Sequence, residues 1–259
     1  MTDLSFLAVG DVMLDVTASG QGHAASVDVT AGGSAVNAGL WAAAAGADAT
    51  IVGRVGDDLA GRAVRAALEE QGVHARLSTD PEARTGTFLV VDGEIRADRG
   101  ANARFDREHL PHALRADVVL LSGYLPAVTV GAAAEVADAT WVALAPGLLQ
   151  PLPAGVDAVL VDEIEAQRLT GAEPEAAARA LARSFRLVCV TRGALGAVAV
   201  LDGRLEAATT EPVEATRPAG AGDAFAASLL LALAHGEDLG EALAAACRVG
   251  AQVAAGVAP

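Results

Sequence analysis

The sequence predicts an α/β fold: a mostly parallel sheet covered by helices on both faces, with a small antiparallel sheet inserted in it. Three observations point there. Short β-rich runs alternate with Ala-rich helical ones along all 259 residues, the rhythm of repeated βαβ units. No internal repeat, linker or low-complexity tail interrupts this rhythm, so residues 1–259 read as a single domain with one large core. Two short segments do break it, and both look like inserted antiparallel strands.

The elements follow in order. Candidate core strands run from Phe6 to Val9, Thr50 to Gly53, Val118 to Ser122, Trp141 to Ala145, Ala158 to Val161 and Leu187 to Thr191. Candidate helices run from Ser34 to Ala45, Leu59 to Gln71, Thr129 to Ala139, Glu163 to Leu169, Pro174 to Ser184, Ala221 to Ala234 and Leu239 to Ala255. Pro174 in a first helical turn and Gly171 just past the preceding helix are ordinary punctuation. The exceptions are Ala25 to Thr30 and Thr87 to Ala97, the latter an alternating strand pair that turns at Asp92-Gly93. Taken with their flanks, the inserted segments span about 12–31 and 84–101, and on pattern alone they read as an edge hairpin.

Composition excludes several functions. A formal charge of −15 argues against nucleic acid and anionic membranes as partners. All 18 basic residues are Arg, which rules out a Walker A lysine and a Schiff-base lysine. Cys189 and Cys247 have no metal or redox spacing, so buried free thiols in a reducing cytosol are expected. No apolar run reaches membrane-spanning length, and the N-terminal residues lack the basic region of a signal peptide; a soluble cytoplasmic protein is expected. The five histidines are scattered without metal-site spacing.

The most informative run is Gly220-Ala221-Gly222-Asp223-Ala224-Phe225, a glycine turn that opens an apolar helix. Such a start points bare N–H groups and the positive end of the helix dipole at whatever lies in front of it. Asp223 could cap the helix. The flanking glycines also let a phosphate approach the backbone beside that carboxylate, an arrangement that suggests a phosphate held next to a base.

This run resembles the C-terminal signature, DTxGAGDAF, of the ribokinase-like (PfkB) carbohydrate kinase family. Ala31-Gly32-Gly33-Ser34-Ala35-Val36-Asn37-Ala38 is similar to the family's first signature. Further similarities lie between them, at Gly53 to Gly61, Arg99-Gly100-Ala101-Asn102, Asp162-Glu163-Ile164-Glu165 and Thr191-Arg192-Gly193. The resemblance implies a ribokinase-like three-layer α/β/α core whose inserted segments form a small β lid over a sugar, often also a homodimer interface. It implies ATP-dependent phosphorylation of a hydroxyl of a small sugar or sugar acid. Asp223 would be the catalytic base, and the backbone of Gly220, Ala221 and Gly222 the anion hole.

The resemblance places nucleotide contacts at Thr191, Arg192, Gly193 and Gly196, where the bland alternative is a simple turn. Sugar contacts fall at Asp15, Gly32, Gly33 and Asn37, with Asp11 a second acidic candidate. Mg²⁺ would be organised by Asp162 and Glu165, unless these are only an N-cap and a first-turn acid. Thr216-Arg217-Pro218 departs from the family's Asp-Thr-x, so a monovalent cation site is doubtful, and Arg217 is a candidate built-in cation. Tyr124 stands where some ribose kinases carry an acidic residue.

Other functions remain open at this point. A nucleoside kinase would need a base pocket, and aromatic residues make up only 3% of the chain. A catalytically weak sugar- or nucleotide-binding homologue is motivated by Arg217 and Pro218 beside the glycine turn. A Rossmann oxidoreductase is disfavoured because Gly220-x-Gly222 lacks the full fingerprint.

Overall fold

The computed structural model describes residues 4–20, 22–147, 149–211, 213–214 and 219–258. Its chain order begins with β1 (Ser5–Val9), β2 (Met13–Ser19), β3 (Ser26–Gly32), α1 (Ser34–Ala44), β4 (Asp48–Gly56), α2 (Leu59–Glu70) and β5 (His74–Asp80). It continues with β6 (Gly86–Val91), β7 (Glu94–Asp98), β8 (Leu114–Arg115), β9 (Val118–Ser122), α3 (Ala127–Val136), β10 (Ala137–Asp138) and β11 (Trp141–Ala145). Then come β12 (Ala158–Asp162), α4 (Glu163–Thr170), α5 (Pro174–Leu181), β13 (Leu187–Thr191), β14 (Ala197–Leu201), β15 (Arg204–Ala208), α6 (Ala221–Ala234) and α7 (Leu239–Ala254).

Nine strands form one sheet in the order β15-β14-β13-β12-β11-β9-β1-β4-β5. The seven from β13 to β5 are parallel, and β14 and β15 extend it antiparallel at one edge. Alternating side chains explain the layers. Phe6 and Ala8 of β1 point into a core shared with Val36, Val64, Leu229 and Leu243, which places α1, α2, α6 and α7 on one face. Leu7 and Val9 point the other way, to Val130 and Ala133 of α3. Further along, Val159, Val161, Val188 and Val190 meet Ala166 of α4 and Ala177 of α5 on that second face. The result is the expected three-layer α/β/α core.

The four remaining long strands make a smaller sheet in the order β3-β2-β6-β7. Its outer pairs are antiparallel, including the β6–β7 hairpin that turns at Asp92-Gly93. The central β2–β6 pair is parallel, with Asp15 opposite Phe88. Two separate parts of the chain therefore supply this sheet side by side.

Several boundaries differ from the sequence expectation. The third helix stops at Val136 and not Ala139, because Ala137 and Asp138 pair with Leu114 and Arg115 as a two-residue parallel bridge. Strands β5, β8, β10, β14 and β15 were not anticipated, and β2 lies in the expected inserted segment 12–31 without having been named as a strand. Of these, β2, β5 and β15 carry alternating polar side chains at sheet edges or in the small sheet, where apolar content is low.

Candidate active site

The candidate site lies at the carboxyl ends of the parallel strands, where the ends of β1, β9 and β11 meet the starts of α1 and α6, the usual ligand edge of an open α/β sheet. Gly220 caps α6 in the left-handed conformation, φ 83° and ψ −9°, which a glycine adopts without a Cβ penalty. The first-turn N–H groups that follow have no acceptor inside the helix. Asp223 sits in that first turn. A Cβ at Gly222 would meet no described atom within 4 Å, so the protein's own packing there does not require a glycine.

Asp223 retains some solvent contact, yet burial pushes its carboxyl up to about 7, with the negative charges of Asp11 and Asp15 adding to the shift. One interaction opposes it: Asn37 Nδ2 donates to Asp223 Oδ2 at 3.0 Å. The structure thus joins the two glycine-rich motifs directly, and it uses the Asn37 amide between them.

Asp11 is buried, and its carboxyl is raised by burial in spite of Arg99, whose Nη2 lies 3.3 Å from Oδ1. The Asp11 N–H faces Ser34 Oγ at 3.3 Å, Ser34 Oγ donates to Ser122 Oγ at 2.8 Å, and the Tyr124 N–H points back to Ser122 Oγ at 3.4 Å. This chain of contacts crosses from the end of β1 through the start of α1 to the end of β9. It floors a cleft lined by Ser34, Ala35, Ser122, Tyr124, Ala145 and Asp223. Gly33 (φ 93°) lies against the Asp11 carbonyl and Gly32 against the Asp15 carboxylate, so contacts within the protein already account for both glycines.

Asp162 and Glu165 are brought together as a reciprocal capping box on α4. The Glu165 N–H donates to Asp162 Oδ1 at 2.7 Å, and the Asp162 N–H to Glu165 Oε2 at 3.1 Å. Burial, helped by the Asp162 charge, pushes the Glu165 carboxyl up to about 7. Tyr124 feels the charges of this pair and of Asp223 alike. Its ring packs over Gly147, and its hydroxyl is raised by burial and then by Glu165, Asp223, Asp162 and Asp11.

Thr191 pairs with Asp162 across β13 and β12, which sets the 191–196 loop one strand further out. There the Arg192 N–H donates to the Gly196 carbonyl at 2.7 Å, and Arg192 Nη2 to the Leu195 carbonyl at 3.1 Å. Gly193 begins a short 3₁₀ turn that Gly196 ends. The hydrogen bonds of the loop are therefore largely its own, as a turn requires, and Arg192 also lines a separate surface groove with Glu173, Glu175 and Arg179.

Sequence reading assigned no role to Ser34 and Ser122, which line the cleft, or to Arg99, which bonds Asp11, since a partner 88 positions away leaves no local pattern. The available signal was that Ser34 and Arg99 each lie in a stretch similar to the family's. Thr216, Arg217 and Pro218 lie outside the described residues.

Residues 3–257 match the pfkB family carbohydrate kinase. The chain is 30% identical over 262 residues to a fructokinase from Klebsiella pneumoniae, covering 88% of this chain and 84% of that protein. It is 32% identical over 287 residues to the bifunctional protein HldE of Caulobacter vibrioides, covering 96% of this chain and 59% of that longer protein. Among solved structures it is similar to a ribokinase from Thermotoga maritima, with a TM-score of 0.86 at 21% identity and coverage of 98% and 94%. It is also similar to an Arabidopsis thaliana ribokinase complexed with ribose and ATP, with a TM-score of 0.80 at 24% identity and coverage of 98% and 93%. The fold is thus ribokinase-like. With a match spanning nearly its whole length, the chain belongs to the pfkB family of carbohydrate kinases.

Proposed function

We propose that this kinase moves the γ-phosphoryl group of ATP to a hydroxyl of a small sugar or sugar acid, with Asp223 as general base and the backbone of Gly220, Ala221 and Gly222 as the anion hole. The observation that carries the reading is the Asp223 carboxyl, pushed up to about 7 in the first turn of α6 beside bare N–H groups. A base works best when its pKa lies near the operating pH, and burial moves the Asp223 carboxyl toward that range. As the proton leaves for Asp223, charge grows on the transferring phosphoryl, and the fixed N–H groups and helix dipole meet it without reorganising.

Asp11, Asp15 and Asn37, with the backbone at Gly32 and Gly33, form the polar surface we assign to the sugar. The nucleotide falls to the loop of Thr191, Arg192, Gly193 and Gly196. Mg²⁺ fits the donor set at Asp162 and Glu165: each spends one carboxylate oxygen on the capping box and keeps a hard oxygen for an ion or its waters. When bound there, such an ion neutralises charge on the ATP phosphates. We assign the small sheet as a lid, and its exposed Val27 and Val29 on β3 support a homodimer through it. Two buried free thiols fit a cytoplasmic setting.

A second reading, a nucleoside acceptor, is favoured by Tyr124, which leaves 53% of its surface exposed in the cleft region. A coupled ADP-release screen across pentoses, hexoses, sugar acids and nucleosides separates the two. The mechanistic test is Asp223→Asn, which should lower kcat by at least about a thousandfold with ATP and sugar binding near normal. Wild-type turnover in that variant would remove Asp223 from the mechanism, and its bond to Asn37 would be structural alone.

A further inference from the structure

Asn37 lies one turn into α1, its N–H bonded to the Gly33 carbonyl at 2.9 Å. Its side chain has two neighbours that matter. Nδ2 donates to Asp223 Oδ2, and the amide lies 3.2 Å from where a Cβ on Gly220 would stand. The same side chain therefore bonds the proposed base and crowds the place a Cβ would take on Gly220, the left-handed glycine that starts α6.

We propose that Asn37 is a positioning residue, holding the Asp223 carboxylate in one orientation and bracing Gly220, so that the base and the first-turn N–H groups converge on the same acceptor. The proposal rests on the reading of Asp223 as base. It assigns Asn37 a role beyond the sugar contact that its motif suggests. An amide suits this role because it donates at every working pH and never titrates. A donor to a carboxylate favours the charged form, so Asn37 also restrains how far the carboxyl is raised. The other groups facing Asp223 are Asp11 at the end of β1, Asp15 on β2 and Tyr124 after β9, with Arg99 held on Asp11. The two acids push the same carboxyl upward.

The test is the pH profile of kcat for wild type, Asn37→Ala, Asn37→Gln and Asp223→Asn, with sugar KM measured alongside. Removing the donor in Asn37→Ala should lower kcat by about tenfold to a hundredfold and move the acidic limb upward by about half a unit or more. Sugar KM also rises with the loss of the Asn37 sugar contact, so kcat at saturating sugar and the position of the limb carry the test. Asn37→Gln keeps an amide donor and should recover part of the turnover and return the limb toward wild type. A rise in sugar KM with kcat and the limb unmoved would overturn the proposal and leave Asn37 with its sugar contact alone. So would a Gln variant no better than Ala in a protein whose thermal unfolding matches wild type. Should Asn37→Ala not fold, the limb and turnover of Asn37→Gln and Asn37→Ser decide: equal limbs in both would overturn the proposal, and a higher limb in Ser would support it. Full turnover in Asp223→Asn would instead sink the base assignment itself, an outcome distinct from every result at Asn37.

Discussion

Asp58 holds Thr85 with both carboxylate oxygens: Oδ1 accepts from the Thr85 hydroxyl at 2.6 Å, and Oδ2 from the Thr85 N–H at 2.9 Å. The same Oδ1 accepts from the Gly61 N–H at 2.8 Å and so caps α2. Thr85 Oγ1 in turn accepts from the Gly56 N–H at 2.9 Å. One side chain therefore starts a helix and clamps the residue just before β6. Asp58→Ala should cost about 1–2 kcal/mol for the cap alone and should speed amide exchange in Gly86–Val91. Denaturant unfolding and hydrogen exchange measure the two effects, and unchanged exchange in β6 would confine Asp58 to capping.

Behind that clamp lies a buried ion pair. Asp80 is fully buried, and Arg54 Nη2 lies 3.1 Å from its Oδ2, with Arg104 Nε at 3.3 Å. The Ala83 N–H, then the Glu82 N–H and Arg54, hold the Asp80 carboxyl at about 2 against the opposing effect of burial. Removing the partner strands Arg54 in the core, so Asp80→Ala should lose about 3–5 kcal/mol at neutral pH. A depressed carboxyl contributes stability above its unfolded value near 4 and loses it as pH falls toward 2. The gap between wild type and variant should narrow across that window. Unfolding curves at pH 7, 4 and 2.5 check it, and a gap constant with pH would refute the linkage.

Asp223 has the opposite sign. Its folded carboxyl is raised from 3.8 to about 7, so the stability linked to its proton is present below about 4 and lost as pH climbs through 7. Asp223→Asn should be indistinguishable from wild type in thermal unfolding at pH 4 and more stable at pH 8, by roughly 2–4 °C in Tm for each kcal/mol regained. The variant chosen to abolish turnover thus becomes the sturdier protein above neutrality. Equal Tm values at pH 8 would place the Asp223 carboxyl near its ordinary range.

Cys189, on β13, is fully buried and its thiol is pushed well above the usual range by burial; Cys247, on α7, is buried and likewise raised. Since the thiolate is the reactive form, neither should react with a thiol reagent at pH 8 until the protein unfolds. A time course with an aromatic disulfide reagent, with and without guanidinium, should show both groups only in denaturant. Rapid labelling of the native protein would contradict this packing.

What the sequence disclosed, and what it withheld, follows from the range of the interactions. The core strands and helices were legible because apolar periodicity and capping residues are local signals. Asp92-Gly93 was recognised as a hairpin turn between β-prone runs, while Asp202-Gly203, with the same positive φ at its Asp, passed unnoticed and hid β14 and β15. Those strands follow a parallel rhythm that had already been assigned to helices and core. Within the site, Asp223, Asp162 and Glu165 were legible because each lies in a short motif at a helix start. The long-range pairings were not. Asn37 and Asp11 were candidates in their own right, but the bonds Asn37–Asp223, Ser34–Ser122 and Arg99–Asp11 join positions 186, 88 and 88 apart. Only the convergence of strand ends creates them.

The parallel pairing of β2 with β6 has a consequence for how this enzyme can be altered. Because residues 13–18 and 86–91 lie side by side, the small sheet is not a contiguous cassette. An attempt to exchange it for that of a relative must transplant two distant stretches at once, each with its own pair of splice points. Moving one stretch alone would set a foreign strand against a native one along six residues of register. The practical unit for redesign in this region is therefore the individual side chain, and a substitution at a single position leaves this two-part weave untouched.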